Sequence, residues 1–431
     1  MWQAFRNAFK IPELRDRIIF TFLMLAVFRL GIYIPIPGIN LQAWSELFKG
    51  FGGGVAGGVV NFFDVFVGGA LKRFSVFTLS VTPYINAAII LQLLSAVIPS
   101  LKEMLREGEE GRKKFAYYTR NLTILLAFFQ AFIIIFALSG DARLVAPGMN
   151  RLTFVTLGTL SLVAGTMFLL WIGELITDKG IGNGVSVLIF AGIVARYPSY
   201  FAEATVKNLN FLEWIFFVGI WFFTIVAIVY VQQAERRIQI QYAHRVVGRR
   251  VYGGASTFIP IKVNHSGVIP IIFAAAIVSI PSAIARMTNN QALSRIFGSG
   301  SALYVTTYAL LVFFFTYFYS VVIFDPHDMA ENIKKYGGYI PGIRPGAPTE
   351  RYFHNVLNRV TFIGAVFLVM ISILPFLVQY IIRGQYIWIG GTSALIAVGV
   401  ALDIAQQMEA HLMMHHYEGF IKKGKLRGRR A

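Results

Sequence analysis

The chain has 431 residues, of which 56% are hydrophobic and only 14% are Asp, Glu, Lys or Arg. Soluble domains carry roughly 25% charged residues, so this composition excludes a disordered protein, a fibrous protein and almost any soluble enzyme. Lys and Arg number 39 against 21 Asp and Glu, and cysteine is absent, which excludes disulfides, thiolate metal sites and cysteine nucleophiles.

Long apolar segments recur along the whole chain. A bilayer core of about 30 Å is crossed by about 20 apolar residues in a helix. Ten segments approach this criterion, although the fifth is short, and they predict an all-α polytopic membrane protein. Five spans in each half give two halves of opposite orientation, which is the arrangement of an inverted repeat. The predicted spans are residues 18–36, 74–98, 121–138, 152–176, 185–195, 211–231, 266–284, 302–324, 360–382 and 387–404.

The distribution of basic residues predicts the orientation of these spans. Ten spans place both ends of the chain on one side, and that side carries 28 Lys and Arg against eight on the other. The positive-inside rule therefore makes both termini cytoplasmic. The formal net charge of +18 then fits this rule together with anionic lipid headgroups as partners, while a nucleic-acid surface is the alternative.

Two cytoplasmic loops, 232–265 and 325–359, are long. Apolar and polar residues alternate over 237–242 in the first loop, which predicts a strand, and its expected hairpin partner is 248–252. The loop would then protrude as a ribbon with basic residues at its tip. The two alternatives for this loop are a solvated segment and a docking surface for a partner.

A glycine-rich stretch, 50–58, precedes a short apolar segment, 59–67, that contains Asn61 and Asp64. About nine residues are too few to cross the bilayer as a helix. Irregular backbone at membrane depth is tolerated inside protein or beside a water-filled cavity. We therefore expect a half-helix that enters from outside, with an interfacial loop as the alternative.

Proline falls inside three of the predicted spans. Because proline removes a backbone hydrogen bond, each of these positions predicts a kink. They are Pro83 in the second span, Pro270 and Pro281 in the seventh, and Pro375 in the ninth.

Ionisable residues are nearly absent from the span interiors; Arg29 near the outer end of its span could snorkel or pair. An ion-coupled secondary transporter with inverted repeats is therefore the weaker hypothesis. His411 and His415 are one turn apart without a clear carboxylate beside them, so we predict no metal or cofactor. No catalytic pattern predicts an enzyme. A passive conduit with an apolar constriction fits best, and a membrane scaffold without a pore is the other alternative.

Several motifs, in order along nearly the whole chain, resemble the SecY family, the channel subunits of the bacterial protein translocase. The resemblance implies a channel for unfolded polypeptide, built as a clam-shell of two five-helix halves around a central pore. The halves are residues 1–205 and 206–431, with a lateral opening between spans two and seven. The motifs are IPIPGIN (34–40), GGALKRFSVFTLSVTPYINAAIILQLL (68–94), GIGNGVSVLIFAGIV (180–194), VNHSGVIPIIFA (263–274), YIPGIRPG (339–346) and GGTSALIAVGVALD (390–403).

The same resemblance assigns roles to individual residues. It implies that segment 59–67 is a plug, whose residues include Val60, Asn61, Phe62, Phe63, Asp64, Val65 and Phe66. It implies an aliphatic pore ring at Val81, Ile85, Val185, Ile189, Ile272 and Ile396, with valine at two positions where isoleucine is common. It implies that Arg249, Arg250 and Arg344 contact the SecA ATPase or the ribosome, and that SecE and SecG are partner subunits.

Overall fold

The computed structural model describes residues 11–51, 64, 67–199, 211–242, 245–247, 250–252, 256–287, 301–381 and 391–423. The chain divides into two compact units. The first is Met1–Phe201 with Val400–Ala431, and the second is Ala202–Gly399.

The described part of the first unit contains eight helices and the later part of a long final helix. They are α1 (Pro12–Gly31), α2 (Leu41–Phe51), α3 (Ala70–Arg73), α4 (Thr82–Val97), α5 (Pro99–Arg106), α6 (Glu109–Leu138), α7 (Arg151–Lys179) and α8 (Gly184–Val194), and the final helix is α14 (Thr392–Lys423).

Small residues line one buried face of α6, and the end of this face packs against α7. Thr119, Thr123, Ala127 and Ala131 form a buried stripe on α6 at a spacing of four residues, so they lie on one face of the helix. Stripes of small residues are typical of helix contacts in membranes, since they bring the backbones together. The core of this unit also contains Phe74 and other aliphatic and aromatic side chains from the α2–α3 region and from α7.

The second predicted span is helical only from Thr82 onward, because Pro83 lies in the first turn of α4. A proline in the first turn starts a helix, since its missing N–H has no intrahelical acceptor there. The predicted kink at Pro83 is therefore wrong, and so is the one at Pro270, the second residue of α10 (Ile269–Met287). Pro281 and Pro375 do lie inside helices.

Residues 74–81 form turns that pack on α7. Phe74 and Ser80 have positive φ values of 46° and 51°, and the Val76 N–H donates to the Ile34 carbonyl at 3.0 Å. Gly165 of α7 permits this approach, because a Cβ there would lie 2.0 Å from the Val76 oxygen. These turns replace the first two turns of the predicted helix.

Among its described residues, the second unit contains five strands and several helices. The strands are β1 (Glu235–Tyr242), β2 (Arg245–Val247), β3 (Arg250–Tyr252), β4 (Ser256–Lys262) and β5 (Gly338–Tyr339), and the helices, besides α10 and the start of α14, are α9 (Phe211–Gln233), α11 (Ala302–Ile323), α12 (Pro326–Lys335) and α13 (Ala347–Ile381).

The predicted strand at 237–242 is confirmed within β1, but its predicted partner is wrong. β1 pairs antiparallel with β4 and with β5, whereas Arg250–Tyr252 pairs with Arg245–Val247. Pairing with β4 buries Ile238, Ile240 and Ile261 in one core with the α12–α13 region. Pro260 is accommodated because β4 lies at the sheet edge.

Five helices in the described part of the chain are long and apolar enough to cross a membrane. They lie in α6, α7, α9, α11 and α13 and correspond to the third, fourth, sixth, eighth and ninth predicted spans. A sixth is obtained if α4 and α5, which are bent by 107° around Pro99, are counted as one span. α8 is a shorter apolar helix. The full set of ten spans stays a prediction.

Candidate functional site

The start of α8 is held tightly against α7. The Gly184 N–H donates to Thr177 Oγ1 at 2.9 Å, and a Cβ on Gly184 would lie 1.8 Å from the Gly173 oxygen. Asn183 caps the helix, since its side chain accepts the Ser186 N–H at 3.2 Å. These contacts therefore fix the first residues of α8 against α7.

Val185 and Ile189 of the predicted ring follow on this anchored helix. They are four residues apart, so they lie on the same face of α8, and both are half-buried. Val81 and Ile85 have the same spacing at the start of α4, where the Ile85 N–H donates to the Val81 carbonyl at 3.0 Å. Val81 is buried and Ile85 is half-buried. The first unit thus carries four of the six ring residues as two one-turn pairs.

The second unit carries the other two ring residues. Ile272 is half-buried on α10 and Ile396 is buried on α14. Their chain neighbours Ile271 and Leu395 pack in the core of this unit. Consecutive residues of a helix are turned by about 100°, so Ile272 and Ile396 point in a different direction from the core residues beside them.

Of the seven named plug residues, 60–66, the structure describes Asp64, and the other six lie outside the described residues; Val67 at the end of the segment is also described and is buried. Asp64 is buried and forms an ion pair with Arg196 Nη2, close to the end of α8. Its carboxylate also accepts the Lys72 N–H at 3.0 Å, and its carbonyl accepts the Gly69 N–H at 2.9 Å. A buried carboxylate needs such partners to remain charged.

Further contacts fasten the residues that follow Asp64. Arg29 of α1 donates from Nη1 to the Gly68 carbonyl at 3.0 Å, and Trp44 of α2 donates from Nε1 to the Leu71 carbonyl at 3.1 Å. Of the two alternatives for Arg29, snorkelling and pairing, the structure shows pairing, with the Gly68 carbonyl as the partner. We call the Asp64–Arg196 pair with the Arg29–Gly68 contact the plug anchor. No local sequence pattern indicates Arg196, because the two partners of this ion pair are 132 residues apart.

The two long loops, 232–265 and 325–359, fold together in their described parts. Side chains from β1, β4, α12 and the start of α13 share one core, which includes Ile240, Ile333 and Phe353. Arg344 follows β5 and is exposed, while its carbonyl accepts from Thr349 Oγ1 at 2.9 Å. Arg250 lies on β3, and Arg249 lies outside the described residues. The described parts of the loops therefore form a folded platform, which we call the sheet unit.

His327 joins α12 to the start of α13 in this unit. Its Nδ1 lies 3.1 Å from Glu350 Oε2. The hydrogen bond to Glu350, and then the Glu350 charge, raise the pKa of His327 above its usual 6.5. The contact therefore stabilises the fold below pH 6.5, and this stabilisation is lost as the pH rises through the raised pKa.

Glu350→Gln should return the pKa of His327 toward its usual value, because the negative charge is removed while the side-chain shape is kept. A histidine resonance titration of the full chain in detergent measures this shift. Glu409→Gln, at an exposed position of α14, should leave the titration unchanged. Equal His327 titrations in wild type and Glu350→Gln would show that the contact is absent in solution.

The chain is similar in sequence to proteins of one known family. The family model described as SecY matches residues 75–405. The protein translocase subunit SecY of Thermotoga maritima is 70% identical over 433 residues and covers 100% of both chains.

Solved structures show the same fold. One described as a protein-conducting channel has a TM-score of 0.62 at 18% identity, and one on the SecY plug domain has a TM-score of 0.59 at 20% identity. Sec61 in a canine ribosome–channel complex has a TM-score of 0.59 at 18% identity. Each covers 94% of this chain and 96% of its own. The chain belongs to the SecY family of protein translocase subunits.

Proposed function

We propose that this multi-pass membrane protein is a passive channel through which unfolded secretory polypeptides cross the bacterial plasma membrane. The observation that carries the proposal is the full-length likeness to a protein translocase subunit. The six aliphatic ring positions fit this role. A polar ring would bind some side chains of a passing polypeptide and stall it, whereas an apolar ring binds little, and a narrow apolar neck resists wetting.

The proposed architecture has ten transmembrane helices in two inverted halves, residues 1–205 and 206–431, with both termini cytoplasmic. The ring would combine Val81, Ile85, Val185 and Ile189 with Ile272 and Ile396. A lateral opening would lie between α4 and α10. Apolar segments of the transported chain could then partition sideways into lipid according to their hydrophobicity.

The proposed plug is segment 59–67. Support comes from the plug anchor, which ties its end to α1 and α8 through buried contacts. In the related structure, the plug domain is described as stabilising the closed channel and maintaining a membrane seal. We propose the same role here, with the anchor holding the plug in its resting place.

The channel itself carries out no chemical step in this proposal, so the driving force comes from partners. These are the SecA ATPase or the translating ribosome, which would dock on Arg249 and Arg250 of loop 232–265 and on Arg344 of loop 325–359. A ribosome surface is rich in phosphate, which suits basic side chains. SecE and SecG would complete the complex, and anionic lipids would contact the basic cytoplasmic face.

Arg344→Glu should lower SecA-driven transport by roughly tenfold or more, since a like charge placed in a complementary interface costs several kcal/mol. Arg344 is exposed, so the fold and SecE binding should not change. ATP-driven precursor uptake by proteoliposomes, with SecE copurification, measures both effects. Arg351→Glu, at an exposed position of α13, is the matched control. Normal transport by Arg344→Glu would remove this docking assignment.

A further inference from the structure

A cleft of about 290 Å³ lies within the first unit, between the start of α8 and the later part of α14. Its polar groups are the side chains of Asn183, Ser186, Asp403, Gln406 and Gln407. Val400 and Ile404 add an apolar wall. The Gly182 N–H donates to Gln407 Oε1 at 2.9 Å, so α14 is joined directly to the turn before α8.

The described lining of this cleft carries negative charge and no positive charge. Among its described lining residues, Asp403 is the one ionisable group, and none is Lys, Arg or His. Asp403 is exposed, and no ion pair or hydrogen bond within the described chain engages its carboxylate. Arg17 of α1 does not pair with Asp403. Its guanidinium instead contacts the Gly180 carbonyl at 3.4 Å and Glu13 at 3.7 Å. Within the described residues, the cleft thus presents a carboxylate without a cation on a strongly basic protein.

The cleft also has a defined relation to the ring positions. Asp403 follows Ile396 by seven residues on the same continuous helix, so both lie on the same face about 10 Å apart. Ser186 is the residue after Val185 on α8. A polypeptide whose apolar segment has reached the ring would therefore keep its preceding residues beside this cleft.

We propose that the cleft binds the positively charged end of a transported polypeptide, namely a Lys, an Arg or the α-ammonium group that precedes an apolar segment. This inference rests on the proposed function. The cation would pair with Asp403. Its remaining N–H donors would find the side-chain oxygen of Gln406 and the second lone pair of Gln407 Oε1, whose first accepts the Gly182 N–H. The apolar stem of a Lys or Arg would lie on Val400 and Ile404, as long basic side chains do at apolar surfaces.

A charge exchange between channel and precursor tests the proposal. Three precursors share one apolar segment and carry basic, neutral or acidic residues before it. Wild type should transport the basic precursor fastest. Asp403→Asn should reduce the advantage of the basic over the neutral precursor by roughly threefold, as expected for an exposed ion pair. Asp403→Lys should raise acidic relative to basic transport by roughly fivefold.

Asp178 provides the matched control, because it is an exposed aspartate near the end of α7 and does not line the cleft. Asp178→Lys should keep the wild-type order of the three precursors. The proposal is overturned if Asp403→Lys also keeps this order. It is equally overturned if Asp403→Lys slows all three alike, which would indicate that a basic partner protein docks there. Failure of wild type to transport any precursor would instead contradict the proposed function itself.

Discussion

Replacing Arg196 with leucine should destabilise the protein by about 3 kcal/mol and open a resting ion leak. The leucine leaves the Asp64 carboxylate buried and without its cation, and breaking a buried ion pair in this way costs roughly 3–5 kcal/mol. Asp64 is fully buried, and Arg196 is 17% exposed. Because Asp64 belongs to the proposed plug, loss of the pair should release that segment. Thermal unfolding and planar-bilayer conductance measure the two effects.

The control for this prediction is Arg143→Leu. Arg143 also pairs with an aspartate, Asp141, but its side chain is 82% exposed, so the change should leave the stability nearly unchanged and open no leak. Asp64→Leu combined with Arg196→Leu should recover part of the lost stability, since no unpaired charge remains. Loss of stability without a leak would make the plug anchor purely structural and would contradict its proposed role in the seal.

Gly184→Ala should destabilise the protein by about 3 kcal/mol, the upper part of the usual range for overpacking. Its Cβ would lie 1.8 Å from the Gly173 carbonyl oxygen, which belongs to the backbone of α7. Relief requires α8 to move away from α7, and Val185 and Ile189 would move with it. We therefore expect lower unfolding temperatures together with slower precursor transport.

Gly219→Ala is the matched control, since Gly219 lies inside the apolar helix α9 and a Cβ there meets no described atom within 4 Å. Alanine is the better helix former by up to about 1 kcal/mol, so this variant should be as stable as wild type or more so. If both variants unfold at the same temperature, the close approach of α7 and α8 is not present in solution.

The sequence was most informative where a local pattern determines the structure. The third and fourth predicted spans, 121–138 and 152–176, lie within α6 and α7, because long apolar runs in a bilayer have few alternatives to a helix. The alternation at 237–242 likewise identified β1. These features depend on neighbours within a few residues of one another.

Long-range contacts decided the features that the sequence did not predict. Segment 248–252 has a strand pattern as β4 does, but only β4 lets β1 bury its isoleucines against α12 and α13. Pro83 fits both a kinked span and a helix start. The sequence pattern grouped Arg196 among the eight basic residues predicted on the outer side. In the structure, Arg196 forms an ion pair with Asp64. The motifs that resemble the family supplied the candidate ring, which periodicity alone does not distinguish from any apolar helix face.

Disulfide crosslinking to a transported polypeptide tests whether polypeptides pass through the proposed ring. The experiment is clean because the chain has no native cysteine. One variant carries Ile85→Cys in the proposed ring, and the control carries Ile363→Cys at an exposed position of α13. A secretory precursor with one cysteine is stalled during transport and then oxidised. If the chain forms a polypeptide channel, a bond forms to the ring cysteine and none forms to the control. No bond at the ring with the precursor engaged, or equal bonds at both sites, would contradict that function.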